Sequence, residues 1–95
     1  MDRITTTIER EWLAEIVAGT KKTEYRQIKA YWRKKLDTIV TPFELRLING
    51  MQKRAPEVTV VIDRVRKNSR TRQYELHIGK VIRVLNWDKR RRAPR

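Results

Sequence analysis

Cysteine is absent from this chain of 95 residues. That absence excludes disulfides, thiolate metal sites and a cysteine nucleophile. Histidine occurs only once, as His77, in a strand-like run between Glu75 and Ile78. A single imidazole does not build a zinc site without several carboxylates beside it. We therefore expect His77 to be structural or solvent-facing, and we predict neither a metal nor a cofactor.

Long apolar runs are also absent. No segment approaches the roughly 20 apolar residues that a bilayer-spanning helix needs, and the first ten residues, MDRITTTIER, lack the apolar region of a signal peptide. The chain contains no strongly basic amphipathic helix either, which argues against a membrane surface as its partner. The sequence predicts a cytoplasmic protein with no membrane partner.

Charge is the most unusual property of the composition. Lysine and arginine number 24 against 11 acidic residues, which gives a formal net charge of +13. On so small a body this excess creates a field of several kT that attracts phosphates without regard to sequence. A charge that serves only solubility is the plainer alternative. We favour a nucleic acid as the partner.

Hydrophobic periodicity predicts seven elements along the chain. Their order is strand, helix, strand, short helix and three strands, over residues 3–8, 8–18, 23–28, 29–40, 43–48, 57–68 and 73–87. A sheet of about five strands in so short a chain has to curl on itself to protect its edges. The predicted fold is therefore α+β, a small, partly open β-barrel with one or two helices.

Single residues add detail to this outline. Gly19 is expected to stop the first helix, and Thr6 and Glu9 have capping-box spacing at its start. Trp12 falls on the apolar stripe of that helix and is predicted to lie in the core. Gly79 interrupts the last strand and predicts a bulge or a bend.

The chain shows no repeat and no second domain. One domain is predicted over residues 1–88, followed by a basic tail over residues 89–95. The tail has no periodicity, so we predict that it is disordered and that its charge adds to nucleic-acid affinity.

The segment GTKKTEYR, residues 19–26, concentrates charge in the turn between the first helix and the second strand. Glu24 and Arg26 protrude on one face of the strand, with Lys21 at its entrance. Lys21 and Arg26 could hold a phosphate, with Glu24 orienting them or acting as a general base. On spacing alone, an exposed ion pair of little energetic value is the plainer interpretation.

The spacing Gly-x-Lys-x-x-Glu-x-Arg is followed by the short motifs YW, KKL, NG and AP. The residues that carry this pattern are Gly19, Lys21, Glu24, Arg26, Tyr31, Trp32, Leu36, Asn49, Gly50, Ala55 and Pro56. In this pattern the chain resembles the ASCH domain, in particular the small stand-alone forms of bacteria and their phages. The resemblance covers nearly the whole chain. It implies a PUA-like β-barrel, a function related to RNA, and a cleft at Lys21, Glu24 and Arg26. Members of the family are linked to RNA binding, to ribonuclease activity and to removal of acyl groups from modified nucleosides.

The favoured function is an RNA-binding module whose cleft recognises a phosphate or an unstacked base. Tyr25 or Tyr31 could stack on that base. Both rings could instead lie in the core, and we prefer this for Tyr25 because it alternates away from Glu24 and Arg26. Further contacts to the nucleic acid are predicted for cations at the turn and on two loops, namely Lys22, Lys53, Arg54, Arg66, Lys67, Arg70 and Arg72.

An enzyme is the alternative, either a metal-independent ribonuclease or a hydrolase of a modified nucleoside. Lys21 would then stabilise developing negative charge, Glu24 would act as acid or base, and Arg26 would clamp phosphate. A carboxylate between two cations is a weak base, which favours binding over turnover. A third class is a structural or interaction protein, in which the cleft is vestigial and only the loop and tail arginines matter.

Overall fold

The computed structural model describes all 95 residues. The elements follow one another as β1 (Arg3–Thr7), α1 (Arg10–Ala18), β2 (Thr23–Gln27), α2 (Ala30–Leu36), β3 (Phe43–Ile48), β4 (Glu57–Asn68), β5 (Gln73–Leu85), β6 (Trp87–Asp88) and β7 (Ala93–Pro94). The first seven confirm the predicted order. The last two strands are not anticipated by the sequence pattern.

Five of the strands form one curled sheet, in the order β1-β3-β4-β5-β2. β1 runs parallel to β3, and every other neighbouring pair is antiparallel. β1 and β2 are the two edges and do not pair with each other, so the sheet forms a half-barrel. The structure confirms a small α+β fold with a curled, open sheet of five strands and two helices.

The core is built from strand alternation and from the inner faces of the helices. β3 alternates strictly, so Phe43, Leu45 and Leu47 are fully buried while the residues between them are not. α1 contributes Leu13 and Ile16. Burying each large apolar side chain contributes about 1.5–3 kcal/mol. Because only 16 side chains form this cluster, the loss of any one of them removes a sizeable part of the stabilisation.

β4 and β5 form a long hairpin with an irregular register. The pairing slips on both sides of the pair Ile62 and Ile78, which leaves Asp63 on β4 and Gly79 on β5 as bulge residues. A Cβ on Gly79 would lie 2.7 Å from Oδ2 of Asp63. The bulge predicted at Gly79 is confirmed, and the glycine leaves room for the aspartate side chain.

The helix ends differ from the prediction in two respects. Gly19 ends α1 in the left-handed region at φ 83°, as expected. Glu9 is the N-cap residue, but no side chain caps the helix; the predicted capping box does not form because Thr6 belongs to β1. α2 ends at Leu36, well before Pro42, since the β-branched run between them has low helix propensity. Both helices fall short of the length and apolar character that a membrane crossing requires.

The C-terminal segment, for which the sequence predicts disorder over residues 89–95, forms a short hairpin that pairs with itself. β6 and β7 pair antiparallel. Oδ1 of Asp88 accepts hydrogen bonds from the backbone N–H groups of Arg90 and Arg91, at 3.0 and 3.1 Å, which is the local bonding that aspartate offers in turns. Trp87 belongs to the core cluster and anchors the segment.

Candidate functional site

The turn between α1 and β2 is held by backbone hydrogen bonds at both ends. The N–H groups of Thr20 and Lys21 donate to the carbonyl of Glu15, at 3.0 and 3.2 Å. The carbonyl of Lys22 accepts a hydrogen bond from the N–H of Ile78 in β5, at 2.9 Å. These bonds fix the backbone from which Lys21 extends.

β2 directs Glu24 and Arg26 toward the interior of the half-barrel. Successive strand residues point to opposite faces, and in the register with β5 Glu24 lies opposite Leu76 while Arg26 lies opposite Tyr74, both of them buried. Glu24 itself is only 5% exposed. A carboxylate at such a depth needs charged or hydrogen-bonding partners.

Lys21, Glu24 and Arg26 form a cluster that we call the ion triad. Nη2 of Arg26 lies 2.6 Å from Oε2 of Glu24, and Nζ of Lys21 lies 3.5 Å from Oε1 of the same carboxylate. The side chains of Lys21 and Arg26 are 13% and 17% exposed, so the cluster is not the exposed ion pair of the plainer interpretation. It also lines none of the five main surface cavities. The triad is a compact, largely desolvated group with a net charge of +1.

Arg26 also joins the two edges of the sheet. Its Nη2 donates a second hydrogen bond to the backbone carbonyl of Thr7, at the end of β1, at 2.9 Å. Both hydrogen bonds of the guanidinium come from Nη2, and its Nε is buried without a hydrogen-bond partner. Leaving a buried donor unpaired costs about 1–3 kcal/mol. Because this N–H group is buried and the triad lines none of the main cavities, a ligand acceptor reaches it only after the surrounding side chains move.

Aromatic rings surround the two cations of the triad. Nζ of Lys21 lies 5.0 Å from the ring centroid of Trp12 and 5.2 Å from that of Tyr25. The guanidinium carbon of Arg26 lies 5.2 Å from the ring centroid of Trp32. All three distances are within the cation–π range. The rings and Glu24 together hold both cations in place.

Three exposed rings at or near the triad form what we call the aromatic rim: Trp12 and Tyr25 lie beside Lys21, and Tyr31 packs on Trp32, the ring that contacts Arg26. Their exposed fractions are 40%, 48% and 53%. Trp32 is buried and contacts Tyr31 edge to face, with 5.2 Å between the centroids. The core positions predicted for Trp12 and Tyr25 are wrong. Other side chains of α1 fill the core in place of Trp12, and Tyr25 lies on the outer face of β2.

The remaining cations predicted to contact nucleic acid do not join the triad. Arg66 and Lys67 lie on β4, not on a loop. Arg66 is 3.7 Å from a carboxylate oxygen of Glu75, and Lys67 is 3.5 Å from one of Asp37. The others are exposed in connections between elements, without an ion-pair partner, and are Lys22, Lys53, Arg54, Arg70 and Arg72.

The outer face of β2, β5 and β4 brings Arg66 and His77 to the same surface as Tyr25. A cavity of about 380 Å³ on this face is lined by Thr23, Tyr25, Arg64, Arg66, Glu75 and His77. Nδ1 of His77 lies 2.6 Å from Oδ1 of Asp63, and its side chain is partly exposed. The sequence interpretation omitted Arg64, although its alternation with Arg66 along β4 was the available signal.

A second ion pair, between Arg46 and Glu57, is not anticipated by the sequence interpretation. Nε and Nη2 of Arg46 donate to the two carboxylate oxygens of Glu57, at 2.7 and 2.9 Å. These hydrogen bonds hold the pKa of Glu57 below its usual value and raise the pKa of Arg46. Both residues line a cavity of about 480 Å³, and so does Thr7, whose carbonyl binds Arg26.

The geometry of the triad favours binding over chemistry. It offers two immobilised cations, one unpaired N–H donor and three exposed rings, all within one turn and its neighbours. No three His, Cys, Asp or Glu side chains gather where they could hold a metal ion.

No family model matches this chain, and no curated protein and no solved structure matches it either.

Proposed function

We propose that this protein binds single-stranded RNA through the ion triad and the aromatic rim. One observation carries the proposal: a buried carboxylate holds two cations among exposed rings, and one of the cations has an unpaired N–H. Sequence-tolerant recognition of single strands combines a positive surface with aromatic rings on which bases stack. Both elements are present at this site.

The cations are arranged before any ligand arrives. Glu24 fixes Lys21 through Oε1 and Arg26 through Oε2. Immobilising a long flexible side chain on binding costs about 0.5–1.5 kcal/mol, and here much of that cost is met within the folded protein. After pairing with Glu24 the triad retains a net charge of +1, which is available to a phosphate.

Base stacking is assigned to the aromatic rim. Trp12 and Tyr25 both lie close to Nζ of Lys21, so a base on either ring would place its phosphate near that ammonium group. Stacking on an exposed ring contributes about 1–3 kcal/mol per base. RNA in place of DNA is the part of the proposal that rests on the resemblance to the ASCH domain.

Catalysis is the weaker alternative for the same residues. A general base has to take up a proton, and Glu24 is engaged by one cation at each carboxylate oxygen. Neither carboxylate oxygen is therefore free to take a proton from a bound substrate. No observation on the site favours turnover over binding.

The proposal includes membership in the ASCH family, with a PUA-like barrel and a cytoplasmic location. Two findings support it. Gly19 ends α1 in the left-handed conformation, and Lys21, Glu24 and Arg26, which carry the motif, converge in one cluster. The curled sheet of five strands with two helices is compatible with such a barrel.

The test compares two adjacent lysines. Lys21→Ala and Lys22→Ala remove the same charge from neighbouring positions, but only Lys21 belongs to the triad; Lys22 is exposed and has no ion-pair partner. Fluorescence anisotropy with a labelled single-stranded RNA, the matched DNA and both duplexes gives the affinities. A denaturing gel of the same mixtures detects cleavage, and a melting curve confirms that each variant folds.

We expect Lys21→Ala to weaken RNA binding by about tenfold, or about 1.4 kcal/mol, and Lys22→Ala to change it by less than about twofold. Trp12→Ala should weaken binding by a similar or larger factor, because a stacking ring is lost. Equal effects of the two lysine variants, with equal affinity for every polymer, would refute the proposed site. RNA cleavage that disappears with Lys21→Ala would show that the enzyme alternative is correct.

A further inference from the structure

The C-terminal segment over residues 87–95, which we call the basic hairpin, concentrates unpaired positive charge. Its cations are Lys89, Arg90, Arg91, Arg92 and Arg95. None of them lies within ion-pair distance of a carboxylate, and neither do Lys80 and Arg83 on the adjacent part of β5. These seven residues make this end of the domain strongly electropositive.

A groove runs between β5 and the basic hairpin. Its volume is about 570 Å³, and it is lined by Val81, Ile82, Arg83, Val84, Trp87, Asp88, Lys89, Arg90 and Arg95. Val81 and Ile82 are exposed although they are large and apolar. The groove therefore combines apolar side chains with four cations and one carboxylate, that of Asp88, whose Oδ1 is bonded to backbone N–H groups.

The basic hairpin is locally ordered, so its cations are presented on a fixed backbone. Besides the two hydrogen bonds to Oδ1 of Asp88, the backbone N–H of Arg95 donates to the carbonyl of Asn86 at 3.2 Å. Nε of Arg95 donates to the carbonyl of Trp87 at 3.3 Å. Cations on an ordered turn lose less freedom on binding than cations on a disordered tail.

We propose that this groove is a second nucleic-acid site, which binds the phosphate backbone without reading sequence. Phosphates would contact the arginines of the basic hairpin, and the sugars or base faces would cover Val81 and Ile82. The charge complementarity between seven unpaired cations and a polyanion is the basis for this choice of occupant. The inference rests on the proposed function only in that both need a nucleic acid as partner.

The two sites lie at different points along β5. The groove residues Val81 and Val84 are five and eight positions from Leu76, which lies opposite Glu24, or about 17 to 26 Å along the strand at roughly 3.3 Å per residue. A strand long enough to span this distance binds both sites at once, and the second contact then forms at a high effective concentration. Short oligonucleotides engage only one site.

The test replaces the three cations of the basic hairpin that line the groove, as Lys89→Gln, Arg90→Gln and Arg95→Gln together, which we call the hairpin variant. Asp88 bonds only to backbone N–H groups of this turn, so glutamine leaves the turn intact. The matched control removes three exposed cations at α2, as Lys29→Gln, Arg33→Gln and Lys34→Gln, none of which lines the groove. Affinity for a long single-stranded RNA is measured between about 50 and 200 mM salt.

The hairpin variant should reduce the slope of log affinity against log salt by about 2, because each phosphate contact on a single strand contributes about 0.7. The control should leave the slope nearly unchanged. An equal fall of the slope in both variants, or no fall in the hairpin variant, overturns the inference. Lys21→Ala distinguishes the two proposals: a hairpin effect without a Lys21 effect refutes the ion triad as a site and leaves the groove standing, and the reverse refutes the groove alone.

Discussion

Replacing Glu24 with glutamine should destabilise the fold while leaving RNA affinity intact or raised. At an effective dielectric constant of about 20, unit charges 3.5 Å apart attract by about 5 kcal/mol. Desolvation offsets much of this attraction, and breaking a fully buried pair costs about 3–5 kcal/mol. The triad is slightly exposed and glutamine keeps one acceptor oxygen for Arg26. We therefore expect Glu24→Gln to lower the free energy of unfolding by about 2 kcal/mol.

Two assays measure this effect. A loss of about 2 kcal/mol lowers the melting temperature by about 10 °C in a domain of this size and the urea midpoint by about 1 M at an unchanged m value. Glu11→Gln is the matched control, because Glu11 is exposed on α1 and has no ion-pair partner. RNA affinity should not fall, since the substitution raises the net charge of the triad from +1 to +2.

Two outcomes would refute this reasoning. A melting temperature equal to that of the Glu11→Gln control would mean that Glu24 contributes no net stabilisation to Lys21 and Arg26. A tenfold loss of RNA affinity in a folded Glu24→Gln protein would mean that the positions in which Glu24 holds the two cations, or a contact of the carboxylate with the ligand, matter more for binding than the added charge. The alternative enzyme predicts a third outcome, in which affinity persists and RNA cleavage by the wild type disappears.

Three further predictions concern the rest of the fold. Burial and the hydrogen bond to Asp37 raise the pKa of Tyr74 to about 12 from 10.0. Stability should therefore fall between pH 10 and 12, because the unfolded chain releases the Tyr74 proton at a lower pH than the folded protein does. Tyr74→Phe should remove this pH dependence and lower the free energy of unfolding in urea by about 1 kcal/mol at neutral pH. Arg46 holds the pKa of Glu57 below 4.5. The pair should therefore stabilise the fold above pH 4.5, and this stabilisation should be lost as the pH falls through the lowered pKa. Glu57→Gln should make the melting temperature less dependent on pH in the acid range. Asp88→Ala should speed tryptic cleavage of the basic hairpin while shifting the melting temperature by only a few degrees, because only the turn bonds are lost; an unchanged cleavage rate would contradict the role given to Asp88.

The order of elements follows from local patterns, and for that reason it was predictable. β3 shows strict alternation, and Gly19 and Gly79 mark backbone positions where other residues are unfavourable. The fold of the C-terminal segment was not predictable in this way. It depends on the burial of Trp87 in a core cluster whose other members, such as Leu13 and Phe43, are distant from Trp87 in sequence. The run of arginines after Trp87 gives no local sign that the segment is anchored in the core.

The candidate site was only partly readable from the sequence. Strand alternation places Glu24 and Arg26 on one face, as expected. The depth of that face depends on the register with β5, which sets Arg26 against Tyr74. Trp12 falls within a helical apolar stripe, but the position of a ring at the border of such a stripe is decided by which neighbours fill the core. Sequence spacing does not contain that information.

The bond from Arg26 to Thr7 has a consequence for self-association. β1 is a short edge strand rich in threonine, and an uncovered edge is a template for pairing with another chain. The guanidinium of Arg26 occupies the last carbonyl of β1 from across the opening of the half-barrel. A ligand that draws Arg26 away would free this carbonyl, so occupancy of the triad would be linked to aggregation through β1. Sedimentation of Arg26→Ala beside the wild type, with more self-association expected of the variant, would show whether that link exists.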